Sequence, residues 1–164
     1  MDKLRDATLI FLVKKTDGVI CEVCLAMKKR GFGKGRFNGV GGKVEEGKET
    51  IEECAIRETK EEINVTVSNL IKVSELEFRF KNNPAWDQMV HVYLTEKWTG
   101  EPKESEEVSP KWFMVNEIPF ETSMWPDDKF WLPEVLKGNL IKASFVFGDN
   151  DVILSKEVNK TDNL

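Results

Sequence analysis

The segment GGKVEEGKETIEECAIRETKEEINV, Gly41 to Val65, decides how this chain is read. Thr50 followed by Glu53 is a capping box, in which the two side chains satisfy free backbone N–H groups at a helix start. A helix over Thr50–Ile63 follows from it. Ile51, Cys54 and Ala55 begin an apolar stripe, and by helical steps that stripe runs into Glu58, Glu61 and Glu62. Like charges at i, i+3 and i+4 repel. A solvated acidic surface tolerates this, as does a carboxylate pair built for acid–base work. A hard-cation site goes further, because oxygen ligands converging on Mg2+ or Mn2+ relieve the repulsion. Gly41-Gly42-Lys43 upstream favours the cation site, since backbone without a Cβ comes close to a ligand.

Outward from this helix the chain reads mostly as strands. Thr8–Val13 is a buried strand, Asp17-Gly18 a hairpin turn, and Val19–Met27 the returning strand. The glycine-rich stretch from Lys28 to Glu49 is loop with at most a short strand. Val65–Val73 and Glu75–Phe80 are strands, the latter alternating Leu76, Phe78, Phe80 against Glu77, Arg79. Asn82-Asn83-Pro84 is a break. Met89–Thr95 and Lys111–Val115 are strands, separated by an acidic loop. A second helix covers about Lys129–Lys137 and stops at Gly138-Asn139. Ile141–Phe147 and Asp151–Val158 form a last hairpin, and 159–164 is a polar tail. Two helices and many strands predict a mixed sheet with helical cover.

Composition bounds the partners. The chain has 164 residues, 40% hydrophobic and 32% charged, which suits one globular domain over 1–164. A net charge of -5 argues against a basic nucleic-acid-binding face. An anionic ligand then needs local Lys, Arg or a cation. The apolar run Ala7–Val13 is far short of the ~20 residues of a membrane span, and no small-residue cleavage site follows it. Three cysteines without a signal peptide fit a reducing, cytoplasmic compartment. Cys21 and Cys24 lie on a strand without a second Cys or His pair, so they read as plain thiols rather than a zinc site. His91, the one histidine, sits in a strand and reads as structural.

The segment from Gly42 to Val65 resembles the Nudix box, G-x5-E-x7-R-E-U-x-E-E-x-G-U with U apolar, through Gly42, Glu49, Arg57, Glu58, Glu61, Glu62 and Val65. There are departures. Residues 43–48, six rather than five, separate Gly42 from Glu49, so the loop carries one extra residue. Asn64 replaces the Gly, a mild change because Asn tolerates left-handed backbone, and Thr59 fills an apolar place.

The resemblance implies an α/β/α sandwich around a mixed sheet and two main helices. It implies hydrolysis of a nucleoside diphosphate linked to another group. It further implies that Glu58, Glu61 and Glu62 hold Mg2+ (or Mn2+) with the Gly42 carbonyl nearby, and that Arg57 pairs with Glu49 to brace the helix. Lys43 and Lys28 would add charge beside the phosphates, and Glu107 in ESEEV would be a further metal-binding or base-like glutamate. A bound metal polarises phosphoryl oxygens and lowers the pKa of water.

The resemblance extends past the box, over about Leu4–Val158, to Nudix members that act on oxidised purine nucleoside triphosphates. MKKRGFGKGRFNGVGGKVEEG, Trp112-Phe113, EIPF and MWPDDKFW carry it. It implies that Asn38, Asp127 and Asp128 face the purine edge. Phe32, Phe78, Phe80, Trp125 and Trp131 would line the pocket with Thr8 at its floor, and Trp112 and Phe113 would be core. The chemistry agrees: adjacent carboxylates in a low-dielectric pocket cannot easily both ionise, so one donates a hydrogen bond while the other accepts. Without the resemblance, Asp127-Asp128 would read as a helix cap.

The expectation is a monomeric, cytoplasmic, metal-dependent pyrophosphohydrolase acting on nucleotides such as 8-oxo-dGTP and 2-hydroxy-dATP. The alternatives are another Nudix substrate (an unmodified dNTP, a dinucleoside polyphosphate, a methylated purine) or a non-catalytic nucleotide-binding module.

Overall fold

A computed structural model describes residues 4–164. Strand β1, Arg5–Thr16, returns as β2, Val19–Lys28, through Asp17 and Gly18 at φ 52° and 79°. Two successive left-handed residues suit a tight turn whose twist matches the strands. Then come β3 (Phe37–Asn38), α1 (Ile51–Ile63), β4 (Thr66–Ser68), β5 (Ile71–Phe80), β6 (Gln88–Thr95), β7 (Lys97–Thr99), β8 (Val108–Met114), α2 (Asp128–Leu136), β9 (Leu140–Phe147) and β10 (Ile153–Thr161).

The main sheet has eight strands in the order β10-β9-β5-β6-β1-β2-β3, with β8 also on β2. β1·β6 and β5·β9 run parallel and the other pairs of this sheet antiparallel, so the sheet is mixed. β4 and β7 pair separately.

The period-2 alternation of β1 sorts the core into two layers. Ile10 and Leu12 pack with Ala55 and Ile63 of α1. Phe11 and Val13 pack with Trp131, Leu132 and Val135 of α2. One helix thus covers each face, which is the expected α/β/α sandwich.

Several expected boundaries shift, among them Lys111–Val115, which is β8 over Val108–Met114. The strand read over Val65–Val73 breaks at Asn69, φ 52°, and β5 instead runs unbroken from Ile71 through Ser74. Ser74 stays in the buried sheet because its hydroxyl donates to the Ile141 carbonyl at 2.8 Å. The polar tail is partly strand: Asn159, Lys160 and Thr161 pair with Lys142, Ile141 and Leu140. Its side chains face water from an edge strand, so ladder bonds rather than an apolar face hold it. α2 starts one residue earlier than read, at Asp128, and stops at Leu136.

Candidate active site

The glycine loop is pinned to β1. Val40 and Ile10 exchange backbone bonds at 2.9 and 2.7 Å, and the Thr8 N–H donates to the Gly42 carbonyl at 2.9 Å. A Cβ on Gly41 would lie 1.7 Å from the Thr8 carbonyl oxygen, so only glycine fits there. Between Gly42 and Glu49 the loop makes a turn over 45–48, where the Lys48 N–H bonds the Glu45 carbonyl at 3.1 Å and Gly47 has φ 77°.

Thr50 caps α1 with the full capping box, and Asn64 ends it at φ 58°, ψ 37°, the left-handed geometry expected for the Gly position. Thr59, in the box's apolar place, is fully buried and returns its hydroxyl to the Ala55 carbonyl at 2.7 Å.

Arg57 is the hub of the charged face. Its Nε and Nη2 each reach Glu49 at 2.8 Å, a fork-on-fork pair. Its Nη1 reaches Glu58 at 3.0 Å and Glu61 at 3.1 Å. The Arg57 hydrogen bonds hold the Glu49 carboxyl down at about 2, and Glu49 in turn raises the Arg57 pKa.

The three box glutamates do not share one environment. Glu58 and Glu62 turn inward and Glu61 outward, with 58% of its side chain exposed. At 3.6 residues per turn Glu61 falls on the flank of the stripe and Glu62 on its continuation. Burial raises the Glu58 carboxyl. It pushes Glu62 up to about 7, with Lys28 and the Gly41 backbone acting in the opposite direction.

These residues fit a divalent cation. Two inward carboxylates one helical turn apart, both penalised by burial, are groups a hard cation would relieve, and Gly42 leaves no Cβ against Glu58. The fit is a cradle rather than a closed cage: among the described residues no three His, Cys, Asp or Glu side chains form a metal cluster. Two expected ligands are engaged elsewhere. The Gly42 carbonyl also has the Thr8 hydroxyl at 3.4 Å and the Cys54 thiol at 3.7 Å. Glu107 is bound by Arg30, Nε at 2.8 Å and Nη2 at 2.5 Å, with Lys28 at 3.6 Å.

Beside α1 opens a cavity of about 260 Å3. Thr8, Lys28, Asn38, Lys43 and Glu62 line it, as do the aromatic residues Phe32, Phe78, Phe80, Trp125 and Trp131, with Asp127 and Asp128. The expected pocket residues are therefore brought together. Thr8 has its hydroxyl turned to Gly42 and Cys54, so it lines the floor without a free donor. Trp131 is fully buried and does not offer an open face; its Nε1 donates to Asp127 Oδ2 at 2.8 Å. Trp112 and Phe113 pack against the two core layers, as expected.

Asp127 occupies the N-cap position of α2 but its side chain makes no capping bond. The carboxylate goes inward instead. Burial raises Asp127 to about 6, against the hydrogen bond from Trp131. Burial and the neighbouring Asp127 charge raise Asp128 well above the usual carboxylate range. Burial and the neighbouring charge thus favour the protonated form of Asp128, and its buried Oδ2 has no hydrogen-bond partner among the described residues. Two adjacent buried carboxyls are set in the pocket wall.

Other residues escaped the sequence reading. Arg36 lines the cavity with its guanidinium 4.1 Å from the Trp125 ring centroid. Phe147 also lines it, and stacks on Phe80 at 5.2 Å; its parity with Phe145 in β9 was the available signal. Trp86, 46% exposed, meets Phe32 at 5.0 Å. For Arg36 and Trp86 the local sequence carries no signal, since each depends on a distant partner. His91 is structural as read: buried, with Nε2 2.9 Å from Asp6. Cys21, Cys24 and Cys54 are free thiols, and burial pushes Cys24 up to about 12. Among the described residues no helix is long and apolar enough to cross a membrane.

Comparison with known proteins places this geometry. The NUDIX domain model matches residues 3–135. Oxidized purine nucleoside triphosphate hydrolase of Mus musculus is 45% identical over 141 residues, 86% of this chain and 88% of that protein. The Danio rerio protein of the same name is 42% identical over 142 residues, 87% and 89% respectively. A solved structure of the MutT protein from Bacillus halodurans superimposes with a TM-score of 0.80 at 26% identity, covering 95% of this chain and 98% of that one.

Proposed function

The chain belongs to the Nudix family, and from that premise we propose that it hydrolyses oxidised purine nucleoside triphosphates, such as 8-oxo-dGTP and 2-hydroxy-dATP, to the monophosphate and pyrophosphate. It is a Nudix hydrolase, and enzymes of this family work with a divalent metal. Mg2+ is the metal we infer, with Mn2+ able to replace it, because the donors in reach are carboxylate and carbonyl oxygens. The setting is a cytoplasmic, single-domain monomer that clears damaged nucleotides from the pool.

The observation that carries the substrate is the buried Oδ2 of Asp128, beside Asp127 and without a hydrogen-bond partner among the described residues. A purine edge altered by oxidation exchanges a donor for an acceptor or the reverse. A pocket that presents a neutral carboxyl, an ionisable carboxyl and the Asn38 amide can answer more than one such pattern. Phe32, Phe78, Phe80 and Trp125 supply apolar surface for the flat base.

At the other end, Arg57 braces α1 through Glu49 and orients Glu58 and Glu61. Lys28 and Lys43 bring positive charge to the polyphosphate side of the cavity. Glu58 and Glu62 would hold a divalent metal, which would supply charge neutralisation and lower the pKa of a nearby water. Hydrolysis adds water across one P–O–P bridge, with a carboxylate taking the water's proton, and yields the monophosphate and pyrophosphate. Glu58, Glu61, Glu62 and Glu107 are all candidates for the general base.

The test is pyrophosphate release with Mg2+ from 8-oxo-dGTP, 2-hydroxy-dATP, dGTP, dCTP and a dinucleoside tetraphosphate. Preference for the two oxidised purines supports the proposal. Preference for another member reassigns the pocket within the family. No turnover, with retained nucleotide binding, would mean a binding module; in an enzyme Glu61→Gln removes turnover while sparing base binding, whereas in a binding module it changes nothing beyond metal affinity.

A further inference from the structure

Arg36 lies where two walls of the base cavity meet. It precedes β3 directly, and the Phe37 N–H beside it bonds the Ser123 carbonyl at 2.8 Å, tying this strand to the loop that carries Trp125. Its guanidinium stacks over the Trp125 ring at 4.1 Å, and its Nη1 donates to Asp151 Oδ2 at 2.8 Å. That ion pair spans 115 positions and is mostly shielded, with 28% and 29% of the two side chains exposed. Asp151 comes from the turn between β9 and β10, where Asn150 and Asp151 hold left-handed φ of 57° and 58°. Consecutive left-handed non-glycine residues are costly and persist only where the surroundings fix them. Only a planar guanidinium stacks on a ring while donating in its own plane to a carboxylate.

Trp125 is thereby confined. Arg36 covers one side, Phe32 lies 5.1 Å away and Phe147 5.9 Å away, and a Cβ on Gly33 would already touch the indole Nε1 at 3.4 Å. Arg36 also lines the cavity that holds the acid pair, whose polar neighbours include Trp131 Nε1 and the Trp125 backbone. Its charge opposes the effect of burial on both Asp127 and Asp128.

We propose that Arg36 is a positioning and specificity-determining residue of the base pocket: anchored by Asp151, it fixes the Trp125 wall and directs a positive charge at the Asp127–Asp128 pair. The proposal rests on reading the cavity as a purine site. It makes Asp151, which does not line the cavity, a remote determinant of base recognition.

The test is calorimetric binding of 8-oxo-dGMP without divalent cation, over about pH 5 to 9, with every variant also made in a Glu62→Gln background, because Glu62 lines the same cavity and itself rises to about 7. Wild-type affinity should fall as the acid pair loses its proton. Arg36→Gln should raise Kd roughly three- to thirtyfold, the range open to a desolvated cation–ring contact. It should also move the fall in affinity to higher pH, because the charge favouring ionised carboxyls is gone. Arg36→Lys should raise Kd but leave the pH course in place. Asp151→Asn should raise Kd from outside the cavity. Wild-type affinity and pH course in Arg36→Gln and Asp151→Asn, whatever their melting temperatures, would overturn the inference alone. Failure of the wild type to bind 8-oxo-dGMP at any pH would overturn the purine reading, and the inference with it.

Discussion

Gly42 lies directly against the Glu58 carboxylate: a Cβ at Gly42 would stand 2.5 Å from both Cδ and Oε1 of Glu58. The loop and the helix therefore meet without a side chain between them, and Glu58 cannot keep its place if one is added. Gly42→Ala should leave the circular dichroism spectrum unchanged and lower kcat by roughly a hundredfold, as expected when a reacting group is displaced by about 1 Å. Near-normal kcat would show that this contact does not position the site.

The Glu49–Arg57 fork should be visible in acid stability. Glu49 is depressed from 4.5 to about 2 in the folded protein. A depressed carboxyl contributes stability above its unfolded pKa and loses it as pH falls through the folded one. Wild type should exceed Glu49→Gln by on the order of 1 to 3 kcal/mol at neutral pH. The gap should close between pH 4.5 and about 2. Urea titrations of both proteins across that window measure it; a gap independent of pH would mean that the pair contributes packing and not charge.

Glu62 behaves in the opposite sense. Its carboxyl rises from 4.5 to about 7 because it is buried. The metal-free folded protein then binds more protons than the unfolded chain between those values, and stability falls as pH rises through them. Glu62→Gln should remove that dependence, so the melting temperatures of metal-free variant and wild type diverge between pH 4.5 and about 7 and stay apart above it, with the variant higher. Adding Mg2+ should raise the wild-type melting temperature and barely move the variant. Equal Mg2+ shifts in both would take Glu62 out of the cation site.

At the base end, Asp127 accepts from Trp131 Nε1 at 2.8 Å. Asp127→Asn should reduce kcat/KM for oxidised purines by roughly ten- to a hundredfold, the cost of leaving buried polar groups unpaired, and affect pyrimidines far less. Trp131→Phe, which deletes only the donor and some ring volume, should shift the same ratio in the same direction by a smaller factor. A parallel loss on dCTP would point to general collapse of α2 rather than to base reading.

Local chemistry alone determined much of this protein. The capping box fixed the start of α1, and left-handed Asn64 fixed its end. Asp17-Gly18 fixed the first hairpin, and the spacing of Glu58, Glu61 and Glu62 marked the charged face. These are signals between residues within two helical turns or one tight turn, where backbone geometry forces neighbours together. Other features were decided only by the tertiary structure. The β5–β9 register sets Phe78 beside Phe145 and Phe80 beside Phe147, and backbone ladder bonds that create it are indifferent to side-chain identity. Asp127 had two local options, helix cap or pocket acid; burial against Trp131 chose the second. The cations that pair with Glu107, Arg30 and Lys28, were also decided by the tertiary structure, because a salt bridge forms with whichever cation the loops bring within reach. Arg36 found its partner 115 residues away, a distance over which no periodicity carries information.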